Sequence, residues 1–460
     1  MIRSGALGIG DPLPSIRSLY RTRKISPATA QSAYQQLISE GLAESRPRSG
    51  FFVSAKPADS RWRRPHAPLA GAPVPRLEPT RLEVSDLVFQ TLEASRHREV
   101  VPLGSAFPSP LLFPWKKLAR YLGRSARHMD PWKTVESLPP GSLELRRQIA
   151  RRYVRLGMSV GIEEIVVTAG ALEALNLALQ TVTRPGDTIA VESPTFYGCL
   201  QAAERAQLKV VEIPTRAGEG IDLIALEAAL EREPIRACWV MTTLQHPTGS
   251  SLSLERKQQL ARMLAERSIP LIEDDAYAEL QFAAKPLPPA KCFDRRGLIL
   301  HCGSFSKCLA PGYRIGWVAA GRFTEEIVRR KMEGSIATSL PVQLGIAEML
   351  RSGGYDAHLA RLRRALARQQ ADVLRSIERA FPRECQVTVP AGGYFLWIGC
   401  PDRVDALAVH RAALEFGVTV APGPIFSARR EFAHHLRLNC GHPSTAPLER
   451  GLERLGRLLA

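Results

Sequence analysis

The chain has 460 residues, 45% hydrophobic and 23% charged, a globular composition too long for one ordinary core. No apolar run approaches the roughly 18–20 residues of a spanning helix, and Met1-Ile2-Arg3-Ser4-Gly5 opens no signal-peptide core, so a cytoplasmic protein is expected. The net charge of +17 is uneven: residues 1–65 hold eleven Lys or Arg against four Asp or Glu, a surplus of +7 that suits either a polyanion partner or a solvated face.

In chain order, Leu13-Pro14-Ser15-Ile16-Arg17-Ser18-Leu19-Tyr20 predicts a helix capped by Ser15, with Ile16, Leu19 and Tyr20 on one face. Ser26-Pro27 predicts a second start, since proline at the first helical position gives up no needed hydrogen bond. Ala30, Ala33, Tyr34, Leu37 and Ile38 follow at helical spacing, and Gly41 ends the run. Arg46-Pro47-Arg48-Ser49-Gly50 then forms a basic turn into the strand Phe51-Phe52-Val53. Two helices, a tight turn and a basic hairpin predict a winged helix-turn-helix over residues 1–53. Its second helix would meet the major groove while Arg46 and Arg48 reach phosphate or the minor groove. The alternative is a small helical cap on the larger domain.

The L-P-S-x-R start, Ser26 with Thr29, the A-Y-x-x-L of Ala33, Tyr34 and Leu37, and R-P-R-S-G-F-F resemble the GntR family of bacterial regulators. That resemblance implies DNA contacts from Ser15, Arg17, Ser26, Thr29, Arg46 and Arg48. Two features depart from it. Pro27 stands where the family usually has Arg, and only ten residues are available for the first helix, which should precede Gly8-Ile9-Gly10-Asp11. Either an upstream start or an incomplete reader is expected.

Residues 54–80 are rich in Pro, Ala and Arg without a sustained period, which predicts a semi-extended linker, bounded at 54–99. From residue 100 to 460, apolar runs such as Ile165–Thr168, Thr188–Val191, Lys209–Val211, Cys238–Met241, Leu271–Asp274 and Leu298–His301 alternate with helical patterns. An α/β domain with a mainly parallel, doubly covered sheet follows. Eight scattered cysteines with no C-x-x-C pair predict reduced thiols, and no metal site is suggested.

Lys307 lies in Gly303-Ser304-Phe305-Ser306-Lys307, followed at the seventh position by Arg314. A lysine between hydroxyls and a guanidinium fork suits an aldehyde cofactor bearing phosphate, namely pyridoxal phosphate carried as a Schiff base on Lys307. Asp274, at a strand's carboxyl end, could face the pyridine nitrogen, and Tyr277 the ring oxygen. Gly170-Ala171, between a strand and a helix start, could hold the phosphate. Phe196 could stack on the ring or be a core aromatic.

Together with Pro140–Arg146, Gln245-His246-Pro247-Thr248-Gly249, Gly392–Trp397 and Leu436–Asn439, these pieces resemble fold-type I aminotransferases of class I. The resemblance implies that fold, with a smaller C-terminal α+β part, and a substrate-carboxylate grip by Arg437. It places His246 where the family usually has an Asn donating to the ring oxygen. A GntR-like reader fused to such a domain resembles the MocR-type regulators. This implies a homodimeric transcription factor that senses pyridoxal phosphate, an amino compound, or both. A working aminotransferase with a vestigial reader and a decaying gene are the alternatives.

Overall fold

The computed structural model describes residues 11–23, 25–39, 43–46, 50–53, 78–80, 82, 84–93, 100–216, 218–283 and 285–460. The chain divides into two compact units, Met1–Arg61 and Trp62–Ala460.

In the smaller unit, α1 (Ile16–Arg23) and α2 (Pro27–Ser39) precede a hairpin of β1 (Ala43–Arg46) and β2 (Gly50–Val53). Ser15 Oγ accepts from Ser18 N at 3.1 Å, and Ser26 Oγ accepts from Thr29 N at 3.0 Å, so both predicted caps form. Ala30, Tyr34, Ala43 and Val53 make the small core, and Tyr34 stacks on Phe51 with centroids 4.3 Å apart. Residues 11–13 pair with β2 through Leu13 N to Phe51 O and Val53 N to Asp11 O, at 2.7 and 2.9 Å. Gly41 and Arg48 lie outside the described residues, as do residues 1–10, where the expected preceding helix falls.

The larger unit is built on an eight-stranded sheet. In chain order its strands are β3 (Ile165–Thr168), β4 (Thr188–Ser193), β5 (Lys209–Arg216), β6 (Gly220–Ile221), β7 (Ile235–Val240), β8 (Leu271–Asp274), β9 (Ile299–Ser304) and β10 (Gly316–Ala319). Their spatial order is β3-β10-β9-β8-β7-β4-β5-β6. From β9 to β5 every neighbouring pair is parallel, whereas β10 runs antiparallel to both β3 and β9, and β6 to β5. Helices cover both faces, so β3, β4 and β8 are buried along their whole length and read as continuous runs rather than alternations.

The C-terminal part carries an antiparallel sheet of β11 (Gln386–Val387), β12 (Phe395–Gly399), β13 (Ala421–Pro422) and β14 (His435–Asn439). The helices Gly354–Ala380, Ala406–Glu415 and Ala446–Leu459 accompany it, giving the expected α+β part. All eight cysteines are free. Among the described residues, no helix is long and apolar enough to cross a membrane.

The 54–99 linker boundary needs correcting. Residues 54–77 lie outside the described residues, but Thr80 pairs with Val210, and Ser85–Glu93 is a helix with Val88 fully buried. Leu82 and Val84 enter one core cluster, while Val88 and Leu87 pack with Tyr197, Trp397 and Phe426 in another. Glu204 fixes the helix start by accepting from Ser85 N and Ser85 Oγ at 3.1 and 2.6 Å. A single nine-residue helix is too short for its period to stand out beside a Pro-rich stretch.

Candidate functional site

Three strand ends set the site. β8 finishes at Asp274, β9 at Ser304 just before Lys307, and β3 runs into Gly170 and the helix Ala171–Val182. Their carboxyl ends converge on a cavity of about 320 Å³ whose lining includes Lys307, Asp274, Tyr277, Phe196, Ala171 and Arg314. Ser304 and Ser306 line it as well. The sequence-predicted cofactor residues therefore meet in one place, apart from Gly170 and His246.

Lys307 Nζ donates to Ala106 O at 2.9 Å and lies 3.8 Å from the Phe107 ring centroid. Burial, then Arg437 and Arg314, push its pKa down to about 7, against the pull of Asp274. A lysine so poised is largely neutral slightly above pH 7, the form that attacks an aldehyde. Asp274 is 1% exposed. Burial is the main cause that raises its carboxyl to about 7, and the N–H of Ala276, donating to it at 3.3 Å, opposes the rise. A cationic pyridine nitrogen placed against Asp274 would stabilise the carboxylate that this burial penalises.

At the other end of the cavity, Gly170 has φ +87, and a Cβ there would stand 2.5 Å from the Arg314 guanidinium. Gly170 thus lies behind Arg314, and glycine is required both by the left-handed φ and by the contact. Arg314 itself has φ +49 and donates to Ser306 Oγ at 3.3 Å and Ala169 O at 3.1 Å. A guanidinium, a hydroxyl and the start of a helix together form a phosphate cradle. The Ser304 hydroxyl is turned inward: it accepts from Ser306 N at 3.0 Å and donates to Ile315 O at 3.3 Å, bracing the loop.

Tyr277 lines the cavity, and burial raises its phenol pKa above the usual value. Phe196 is packed close to Gly198, where a Cβ would stand 2.5 Å from its ring. His246 is not brought to the cavity. Its ring is fully buried, with centroids 4.5 Å from Phe395, 5.3 Å from Phe426 and 5.6 Å from Phe196, and neither nitrogen has a partner. Burial, Arg437 and Lys307 all hold its pKa well below the usual imidazole value, and the ring also lies 6.0 Å from both Tyr197 and Tyr277 of the cavity wall.

Arg437 is also fully buried and lies 4.4 Å from the Phe395 ring centroid. Its fork donates to Ser105 O at 2.8 Å and to Gly104 O. Its Nε has no hydrogen-bond partner. The segment Gly104–Phe107 therefore bridges Arg437 and Lys307. Asn439 holds it further, donating to Ser105 O at 2.9 Å and Phe107 O at 2.6 Å, and Tyr394 donates to Ala106 O at 3.1 Å. Sequence reasoning missed this strap and the cavity wall at Tyr197. Its only signal was Gly104 between two prolines: a Cβ there would come within 3.0 Å of the Val420 backbone.

In the smaller unit, Ser15, Arg17, Ser26 and Thr29 are all exposed on α1 and α2 or at their starts. The Ser26 and Thr29 hydroxyls also bond each other at 2.8 Å. Arg46 is the last residue of β1, opposite Gly50.

Residues 129–455 match the family of class I and II aminotransferases, and residues 1–53 match the gntR family of bacterial regulatory proteins. An Escherichia coli K12 protein named as an uncharacterized HTH-type transcriptional regulator, YdcR, is 43% identical over all of this chain and 96% of its own length. The 2-aminoadipate transaminase of Thermus thermophilus is 30% identical over 81% of the chain and 93% of its own. Among solved structures, the α-aminoadipate aminotransferase LysN of Thermus thermophilus, complexed with N-(5'-phosphopyridoxyl)-L-leucine, superposes with a TM-score of 0.73 at 29% identity. That match covers 82% of this chain and 98% of LysN.

Proposed function

We propose that this chain, which belongs to the class I and II aminotransferase family and carries a gntR-family head, is a DNA-binding transcriptional regulator that responds to pyridoxal phosphate and amino compounds at Lys307. The observation that carries the reading is the coexistence of two parts in one chain: a helix-turn-helix head and a cavity with Lys307, Asp274 and Arg314 in place. A relative similar along its full length, named a transcriptional regulator, supports it.

The residues fit the cofactor. Lys307 would bind its aldehyde, Asp274 its ring nitrogen, and Arg314, Ser306 and the start of the helix Ala171–Val182 its phosphate. Bound there, pyridoxal phosphate supplies an aldehyde for amines and an electron-withdrawing ring. Tyr277 and Phe196 would border the ring, and Arg437 would take an incoming carboxylate as a fork. In doing so it would release Gly104–Phe107, which gives ligand entry a structural consequence. Such a displacement shifts DNA affinity only if the ligand binds one conformation better than another. Ser15, Arg17, Ser26, Thr29, Arg46 and Arg48 are proposed to face DNA. A cytoplasmic homodimer, presenting two heads to paired half-sites, completes the reading.

A second reading, a working aminotransferase, is favoured by the completeness of the same cavity. The two are separated by assay. The regulator reading expects a visible cofactor band lost in Lys307→Ala, and a salt-sensitive mobility shift with the gene's own upstream DNA. Absence of that shift, together with amino-group turnover at roughly 1 s⁻¹ or faster, would transfer the conclusion to the enzyme.

A further inference from the structure

The gntR-like head does not hold all of the chain's positive charge. Residues 1–65 carry +7 of the net +17, which leaves +10 on residues 66–460. On several helices of that longer part, arginines are answered within one helical turn: Arg329 by Glu325, Arg330 by Glu326, Arg351 by Glu348 and Arg375 by Asp372. The helix Trp115–Arg127 is different. It carries Lys116, Lys117, Arg120, Arg124 and Arg127 and no Asp or Glu. Among the described residues none of the five meets a carboxylate, and Arg127 turns its Nε back to Gly123 O at 3.2 Å.

The charges share one side of the helix. Lys116, Arg120, Arg124 and Arg127, three or four residues apart and all exposed, form a stripe about 16 Å long at the helical rise of about 1.5 Å per residue. The other side is taken up by packing. Leu118 is fully buried, a Cβ at Gly345 would stand 2.8 Å from Leu122, and the Tyr121 hydroxyl bonds Ser352 Oγ at 2.8 Å. Charge of the same sign continues on the helix Gly354–Ala380, where Arg361 and Arg364 are exposed and again meet no carboxylate among the described residues. Burial holds the His358 imidazole below its ordinary pKa, and Arg361 and Lys117 both add to that push, so the two helices bring like charges to one neighbourhood.

Crowded, unanswered like charges repel one another, and an extended polyanion relieves that repulsion while releasing its own counterions. An anionic membrane is the poorer fit. A basic amphipathic helix enters a membrane surface through its apolar side, and here that side is already spent on the protein core. The same chain supplies a polyanion through its gntR-family head. We infer that the helix Trp115–Arg127, extended by Arg361 and Arg364, is a second DNA-contacting surface, one that grips the phosphate backbone of duplex DNA irrespective of sequence. The inference rests on the DNA-binding reading and adds to it a contact outside residues 1–53. Phosphate contacts of this kind raise affinity without reading bases.

The test follows binding of the full-length, cofactor-loaded protein to its own upstream DNA and to a duplex of unrelated sequence, across a salt series. A triple variant, Lys116→Gln with Arg120→Gln and Arg124→Gln, removes three phosphate contacts, so the slope of log affinity against log salt should fall by about 2.7. Between about 50 and 200 mM salt the wild type should therefore lose about fortyfold more affinity than the variant. The loss should be equal on both duplexes, leaving the preference for one sequence over the other unchanged. Arg361→Gln with Arg364→Gln, on the other helix, should lower the slope by about 1.8 and decides the matter should the triple variant not fold, which the visible cofactor band reports. Arg329→Gln with Arg330→Gln removes two arginines already paired with glutamates and should leave the slope as it is. A slope unmoved by the triple variant, a loss confined to the upstream DNA, or an equal loss in the Arg329 and Arg330 control overturns the inference and leaves the DNA-binding reading standing. A wild type that binds neither duplex, including one that binds phosphatidylserine vesicles instead, overturns both.

Discussion

Raising the pH from 6 to 8 over a cofactor-free sample probes the electrostatics that surround Lys307. With its pKa pushed down to about 7 by burial, Arg437 and Arg314, the neutral fraction of the lysine should climb from about a tenth to about nine-tenths over that interval. A lysine at the ordinary value would still be only about 0.3% neutral at pH 8, roughly three-hundredfold less. The rate of cofactor capture, followed as growth of the visible band after rapid mixing, should therefore rise about tenfold from pH 6 to 8 and then level off. Ionisation of the cofactor phosphate falls in the same region, so a variant is needed to assign the profile. Arg437→Met removes one cationic neighbour of Lys307, and its midpoint should move upward, whereas the cofactor's own titration would not move. A rate that keeps climbing to pH 10 in the wild type, or a midpoint indifferent to Arg437, would show that Lys307 is not held near neutrality by its burial and cationic neighbours.

Other perturbations follow from the same geometry. Gly170→Ala forces a Cβ to within 2.5 Å of the Arg314 guanidinium at φ +87, so cofactor affinity by absorbance titration should fall at least tenfold; an unchanged affinity would remove Arg314 from the phosphate cradle. Asp274→Asn replaces a charge-assisted bond worth about 1.5–3 kcal/mol, predicting a loss of ten- to a hundredfold in the same titration. The depressed Lys307 pKa means that the unfolded chain binds more protons between about 7 and 10.5. Cofactor-free protein should thus gain stability from Lys307 as pH rises through that window, a gain absent in Lys307→Met by thermal melting. Ser26→Ala deletes the cap on α2 and should cost about 1 kcal/mol, seen as faster hydrogen exchange along Pro27–Ser39.

What could be read from the sequence was whatever local chemistry announces. Ser26-Pro27 marked a helix start because cap and first-turn preferences act within a few residues, and the buried strands showed as apolar runs because both faces are covered. Lys307 and Asp274 were legible because each sits at or just past a strand end, where the fold gathers ligands, and Arg314 because a guanidinium follows Lys307 at a fixed short spacing. The orientation of β10 was not legible: a four-residue apolar run carries no direction. Nor was the Gly104–Phe107 strap, which touches Arg437 across more than 300 residues of chain. For His246 the motif Gln245–Gly249 suggested a donor, and the fold places its ring beside Phe196, Tyr197 and Tyr277 with neither nitrogen partnered.

The proposed regulator requires that the state of the Lys307 site be felt at DNA. It is tested most directly by the affinity of the full-length protein for its own upstream DNA, measured by fluorescence anisotropy at fixed salt on one preparation. Three states should be compared: cofactor-loaded, cofactor-stripped, and reloaded. The affinity or the protein-to-DNA ratio should change on stripping, return on reloading, and not return in Lys307→Ala. Identical specific binding in all three states would contradict it.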